Sequence, residues 1–239
     1  ADDSVDGGGS LDERLAAVAA RRAELDACVA GAPPPDDPVL VALADAVRRF
    51  AIPRRHLDDL LDGVEMDLTV TRYPDFAALK RYCDRVAGAG GLVSLHIFGF
   101  TDPAAPAHAA DLGVALQIVN IMRDVEEDAG RGRIYLPADE MAAHGVSEAD
   151  VLEGRATPGF RGLMRDQGAR ARGYFASGER LLPLLDRRAR MCVSMLSGLY
   201  REILAEIEAR DHDVFGGRVS LSTPRKLALM GQRSAAALL

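Results

Sequence analysis

Apolar residues recur every three or four positions along most of this 239-residue chain. That is the spacing of helices with one buried face, and no stretch shows the sustained alternation of a strand. Residues 11–29 keep the helical period until Gly31 and the Pro33–Pro35 run. Residues 37–50 form a second amphipathic stretch, and Pro53 stands where a third helix begins, running toward Asp67. Residues 75–98 read as one long apolar helix, ended by Gly99 and Pro103. Residues 105–128 are the most apolar helix of all, followed by the loop GRGRIYLP and a short helix from Ala138. Ser147 followed by Asp150 has the form of a helix N-cap. Two longer helices over 160–185 and 188–210 follow, and Thr223–Pro224 opens a last one. The pattern predicts a single all-α domain.

One helix breaks its own pattern. Over 105–128, Leu112, Val114, Leu116, Ile118, Val119, Ile121, Met122 and Val125 cover most of the surface, yet Gln117, Asn120, Asp124 and Asp128 fall within an arc of about 80°. Burying amides and carboxylates without partners costs several kcal/mol, so the stripe needs water, hydrogen bonds or a cation. A single DxxxD pattern most often faces solvent or pairs with arginines. The amides in line with the acids favour a polar cavity.

The same i, i+4 spacing occurs at the start of the chain, where Asp2 and Asp6 flank Asp3. Two facing helices with such pairs would gather carboxylates that need counter-ions. Mg²⁺ suits them, because it takes few protein carboxylates and keeps positions for water and phosphate oxygens. Arg123 beside the second pair, Arg131 and Arg133 after it, and the group Arg218, Arg225 and Lys226 are candidate partners for a diphosphate. Gly88, Gly90 and Gly91 interrupt a helical pattern at about 1 kcal/mol each. They signal either close helix packing or a kinked, open channel for a long apolar ligand.

Composition narrows this picture little. The chain is 48% hydrophobic and 27% charged, with a net charge of −7; nothing in it forms the basic footprint of a nucleic-acid binder. Cys28, Cys83 and Cys192 read as buried small hydrophobes in a reducing compartment, so a cytosolic location is expected. No apolar run approaches the ~20 residues of a membrane span.

ADDSVD, LLDGVEMDL, YCDRVAGAGG, ALQIVNIMRDVEEDAGRGRIYLP and DVFGGRVSLSTPRKL together resemble the squalene and phytoene synthases, the head-to-head prenyl diphosphate synthases. The resemblance covers nearly the whole chain, and NIMRDVEEDAGRGRIYLP is its most specific part. It implies one isoprenoid synthase domain over residues 1–239, a helical bundle around a central cavity, with family members carrying further helices before the first aspartate pattern. It implies Mg²⁺ on Asp2, Asp6, Asp124 and Asp128, catalytic roles for Tyr82, Arg123 and Tyr135, and substrate binding by Gln117, Asn120, Arg123, Arg133 and Arg218. The expected partners are prenyl diphosphates, joined through a cyclopropylcarbinyl diphosphate. The stretch RVAGAGGLVSLHIFG inclines the expectation to C15 farnesyl diphosphate and presqualene diphosphate or squalene, with phytoene synthesis from C20 geranylgeranyl diphosphate as the alternative. A non-catalytic helical partner-binding protein is the reading of another class; the two acid pairs together with Arg123, Tyr82 and Tyr135 weigh against it. An oily product suits peripheral contact with a membrane. The residues carry no sign for or against NADPH, and none of the oligomeric state.

Overall fold

The computed structural model describes residues 9–236. Helix α1, Leu11–Val29, is opened by a reciprocal cap between Ser10 and Glu13. It is followed by α2, Pro38–Arg49, capped by Asp37, and α3, Arg54–Thr69. Helix α4, Phe76–Cys83, runs into a π-helical turn at Asp84–Gly88 and then α5, Ala89–Phe98. The apolar helix α6, Ala105–Arg123, leads into the short α7, Val125–Gly130. Two more short helices, α8 at Ala138–Ala143 and α9 at Glu148–Leu152, precede α10, Pro158–Gly178. A 3₁₀ turn at Glu179–Leu184, α11 at Arg187–Ala209 and α12 at Thr223–Ala236 complete the chain. The predicted Ser147 cap is present and reciprocal with Asp150. Among the described residues the only β pairing is an isolated bridge between Arg72 and Ile134.

Helix α6 is the axis of the bundle. It packs on α10, α5, the π turn and α11, and its Val114, Ala115, Ile118, Val119 and Met122 are all but inaccessible. Glycines let its backbone approach its neighbours. A β-carbon on Gly113 would come within 2.6 Å of the Ala87 carbonyl oxygen, and one on Gly91 within 2.8 Å of that of Ala109. Gly91 therefore answers to close packing, whereas a β-carbon on Gly90 would meet nothing nearer than Leu60 at 4.0 Å.

Two expected helices are interrupted, and both interruptions shape the cavity. Residues 105–128 are not one helix, because Asp124 leaves helical geometry at φ −101°, ψ 13° and re-aims the acidic turn that follows. Residues 75–98 take up the π turn. Its extra residue keeps Tyr82, Val86, Gly90, Ser94 and Phe98 on one stripe that a regular helix would spiral away from its neighbour. The expected burial of all three cysteines holds for Cys28 and Cys83 but not for Cys192, which is exposed. That position on α11 faces an open groove.

Candidate active site

The polar end of the cavity, about 260 Å³, draws Asp67 from α3, Tyr82 from α4, Gln117, Asn120 and Arg123 from α6, and Asp128 from α7. Arg131, Arg133 and Tyr135 reach it from the following loop. That loop is held against residues 71–74: Ile134 N–H donates to the Thr71 carbonyl at 3.0 Å, Ala138 N–H to that of Tyr73 at 2.9 Å, and the Arg72 guanidinium to Gly132 at 2.7 Å.

Asp124 sits between two guanidiniums. Arg123 donates to both its oxygens at 2.8 and 2.5 Å, and Arg218 at 3.0 and 3.3 Å. Burial works against ionisation here, but these charges hold its carboxyl below the usual range. Asp128 differs. Burial, with the Asp124 charge next in weight, pushes its pKa up to about 7, and among the described residues no hydrogen bond or ion pair reaches its side chain. Such a carboxyl gains from a hard divalent cation, and the paired Asp124–Asp128 donor set fits Mg²⁺. Among the described residues no group of three or more ligands gathers to hold a metal alone. Asp2 and Asp6 lie outside the described residues.

Beside the acids stand three tyrosines. Rings of Tyr73, Tyr82 and Tyr135 lie 5.2–5.6 Å apart, with Tyr73 stacked on Tyr135. The Tyr135 hydroxyl donates to Asp67 at 2.8 Å. Burial first, then the Asp67 charge, raises the pKa of Tyr82 and Tyr135, so both phenols stay protonated. The Tyr73 hydroxyl is buried without a hydrogen-bond partner.

At Gln117 and Asn120 the polar end opens into an apolar groove of about 580 Å³. One wall is the α5 stripe, another Ala109, Leu112 and Leu116 of α6, and a third Cys192, Val193, Leu196 and Tyr200 of α11. Asn120 donates to Gln117 at 3.3 Å, and its own amide oxygen is buried without a partner where the two spaces meet.

The structure thus brings together Tyr82, Gln117, Asn120, Arg123, Asp124, Asp128, Arg133 and Tyr135, with Arg218 tied on through Asp124. Arg225 does not join them; it is paired with Glu202 at 2.6 Å on the exposed side of α11. The expected triad of Arg218, Arg225 and Lys226 is corrected in that respect, because the α12 start turns away from the pocket. Asp67 and Tyr73 were not singled out from the sequence. A signal for Asp67 existed: on α3 it points about 180° from Asp58, toward the interior, whereas Asp62 and Glu65 lie near Asp58 and hold Arg22.

The family profile described as squalene/phytoene synthase matches residues 1–225. The chain belongs to the squalene/phytoene synthase family. Phytoene synthase 3, chloroplastic, of Zea mays is 44% identical over 199 residues, which are 81% of this chain and 47% of that protein. Phytoene synthase of Mycobacterium tuberculosis is 41% identical over 232 residues, 94% of this chain and 74% of that protein. The chain therefore spans about half the length of the maize relative and three quarters of the mycobacterial one. Squalene synthase HpnC from Alicyclobacillus acidocaldarius superposes with a TM-score of 0.83 at 27% identity, over 89% of this chain and 80% of that one. The fold is that of the all-helical isoprenoid synthases. Both sequence relatives carry the name of the alternative expectation, phytoene synthase, and not that of the squalene reading.

Proposed function

We propose that the chain condenses two molecules of geranylgeranyl diphosphate head to head, through prephytoene diphosphate, to phytoene. The observation that carries this is the continuity of a charged pocket with an apolar groove at Gln117 and Asn120. An amphiphile with an anionic head and a long hydrocarbon tail matches both halves. Asp124 and Asp128, with Asp2 and Asp6, would hold Mg²⁺, which neutralises charge on the departing diphosphate when bound.

The remaining steps fall to the protein's own groups. Arg133 and Arg131 present cationic donors to a diphosphate, and Arg123 holds Asp124 in place. Ionisation breaks the allylic C–O bond and leaves its electron pair on diphosphate. The double bond of the second substrate attacks the cation, and a proton is lost as the cyclopropane closes. Tyr82 and Tyr135, protonated and joined to Asp67, are placed to pass that proton to diphosphate. The Tyr82 ring face and the apolar walls stabilise the cation and exclude water.

Incubation of the chain with geranylgeranyl or farnesyl diphosphate and Mg²⁺, followed by extraction and mass analysis, tests this. Release of diphosphate with a C40 hydrocarbon, or its C40 cyclopropyl diphosphate, is expected. A C30 product made in preference would restore the farnesyl reading, and no diphosphate release from either would refute condensation.

A further inference from the structure

The groove has a depth, and the backbone contacts of the glycines let it be measured. Gly113 of α6 meets Ala87, and Gly91 of α5 meets Ala109, so the two helices run antiparallel in a register where position sums equal 200. From Asn120 at the polar end to Ala109 is eleven residues of helix, about 16 Å. Gly91 lies level with Ala109, and α5 continues the wall from there. Ser94 stands roughly 21 Å from the polar end, and Phe98, the last residue of α5, roughly 27 Å.

Each isoprene unit adds four main-chain bonds, which advance an extended chain by about 5 Å. Three units, about 15 Å, therefore end near the Gly91–Ala109 contact, a fourth, at about 20 Å, ends level with Ser94, and a fifth, at about 25 Å, extends into the last turn before Phe98. Ser94 is exposed in the groove and makes no hydrogen bond among those of the described residues. Its small side chain leaves the fourth unit room. Phe98 is half-buried against the core and offers a whole ring at the end of the wall.

We propose that Ser94 and Phe98, one turn apart on α5, set the prenyl chain length, Ser94 admitting the fourth isoprene unit and Phe98 stopping a fifth. This rests on the condensation reading only for the identity of the head group; the measure itself is steric. A bulky residue at 94 removes the space the fourth unit needs and leaves three units undisturbed. A small residue at 98 opens the end.

The test is calorimetric binding of unreactive thiolodiphosphate analogues of C15, C20 and C25 chains, with Mg²⁺, to the wild-type chain and to Ser94→Phe and Phe98→Ala. Ser94→Phe should weaken C20 binding at least ~10-fold and leave C15 within about twofold. Phe98→Ala should strengthen C25 binding at least ~10-fold and leave C20 within about twofold. Circular dichroism checks that each variant folds; Ser94→Leu and Phe98→Leu replace any that does not, with the same order expected. Variants that weaken all lengths equally, or none, would overturn the proposal, as would a wild-type chain that binds no analogue. A chain that discriminates lengths as described but releases no diphosphate from true substrates would sink the condensation reading and leave the length measure standing.

Discussion

The two ends of the cavity are built by opposite means. The polar end gathers Asp67, Tyr82, Asp124, Arg133, Tyr135 and Arg218 from distant parts of the chain and pairs Tyr135 with Asp67 and Arg218 with Asp124. The apolar end comes from three helices and depends on what is missing: side chains at Gly91 and Gly113 that would hold α5 and α6 apart. Chemistry at the first end is lost by removing a charge. Shape at the second is lost by adding a methyl group.

Breaking the polar end should give the largest effects. Asp124→Asn removes the carboxylate proposed to hold Mg²⁺ and leaves Arg123 and Arg218 without their anion. Turnover should fall at least ~100-fold while the helical circular dichroism stays unchanged; unaltered turnover would take Asp124 out of the site. Tyr135→Phe cuts the hydrogen bond to Asp67 and should lower kcat by roughly 10–100-fold with little change in KM. A change confined to KM would instead make Tyr135 a binding group.

The apolar end should respond in stability. Gly113→Ala drives a β-carbon to 2.6 Å from the Ala87 carbonyl oxygen and should cost about 1–3 kcal/mol in denaturant unfolding, whereas Gly90→Ala, with its nearest neighbour at 4.0 Å, should cost nothing. Equal effects at both would mean the helices part freely. A smaller effect joins the two regions: Tyr73→Phe deletes a buried hydroxyl that has no partner and should stabilise by about 1 kcal/mol without loss of turnover.

The smallest effect is a pH dependence behind the groove wall. His56 is buried next to His96, and burial first, then Arg55 and His96, lowers its pKa from 6.5. The unfolded chain takes up this proton first as the pH falls below 6.5, so stability is full above that value and declines as the pH drops toward the folded-state pKa. Because Asp128, raised to about 7, titrates in the same range with the opposite sign, the loss is read as the difference between wild-type and His56→Gln melting temperatures, which should change as the pH falls below 6.5; a difference constant across that range would remove His56 from the effect.

Much of the polar end was readable because its key spacing is local. Gln117, Asn120, Asp124 and Asp128 lie within a few turns, and the all-helical class follows from periodicity and caps such as Ser147–Asp150. Asp67 escaped because its partner Tyr135 is 68 residues away. Arg225 was misplaced for the converse reason: its nearness in sequence to Arg218 says nothing of α12, which turns it to Glu202. The three glycines could not be sorted by pattern, since close packing and open channel both call for a missing side chain. Only the neighbouring backbone separates Gly91 from Gly90.

By itself, then, the sequence determined the helical class, the acidic stripe and the family, because helix period, capping and motif spacing are written within a few turns of chain. The tertiary structure alone decided that Asp124 breaks its helix and that a π turn keeps Tyr82 to Phe98 on one stripe. It alone also decided that Asp67 anchors the tyrosines and that Ser94 and Phe98 line the same groove. Each of these depends on which surfaces meet across long sequence separations, and no local propensity carries that information.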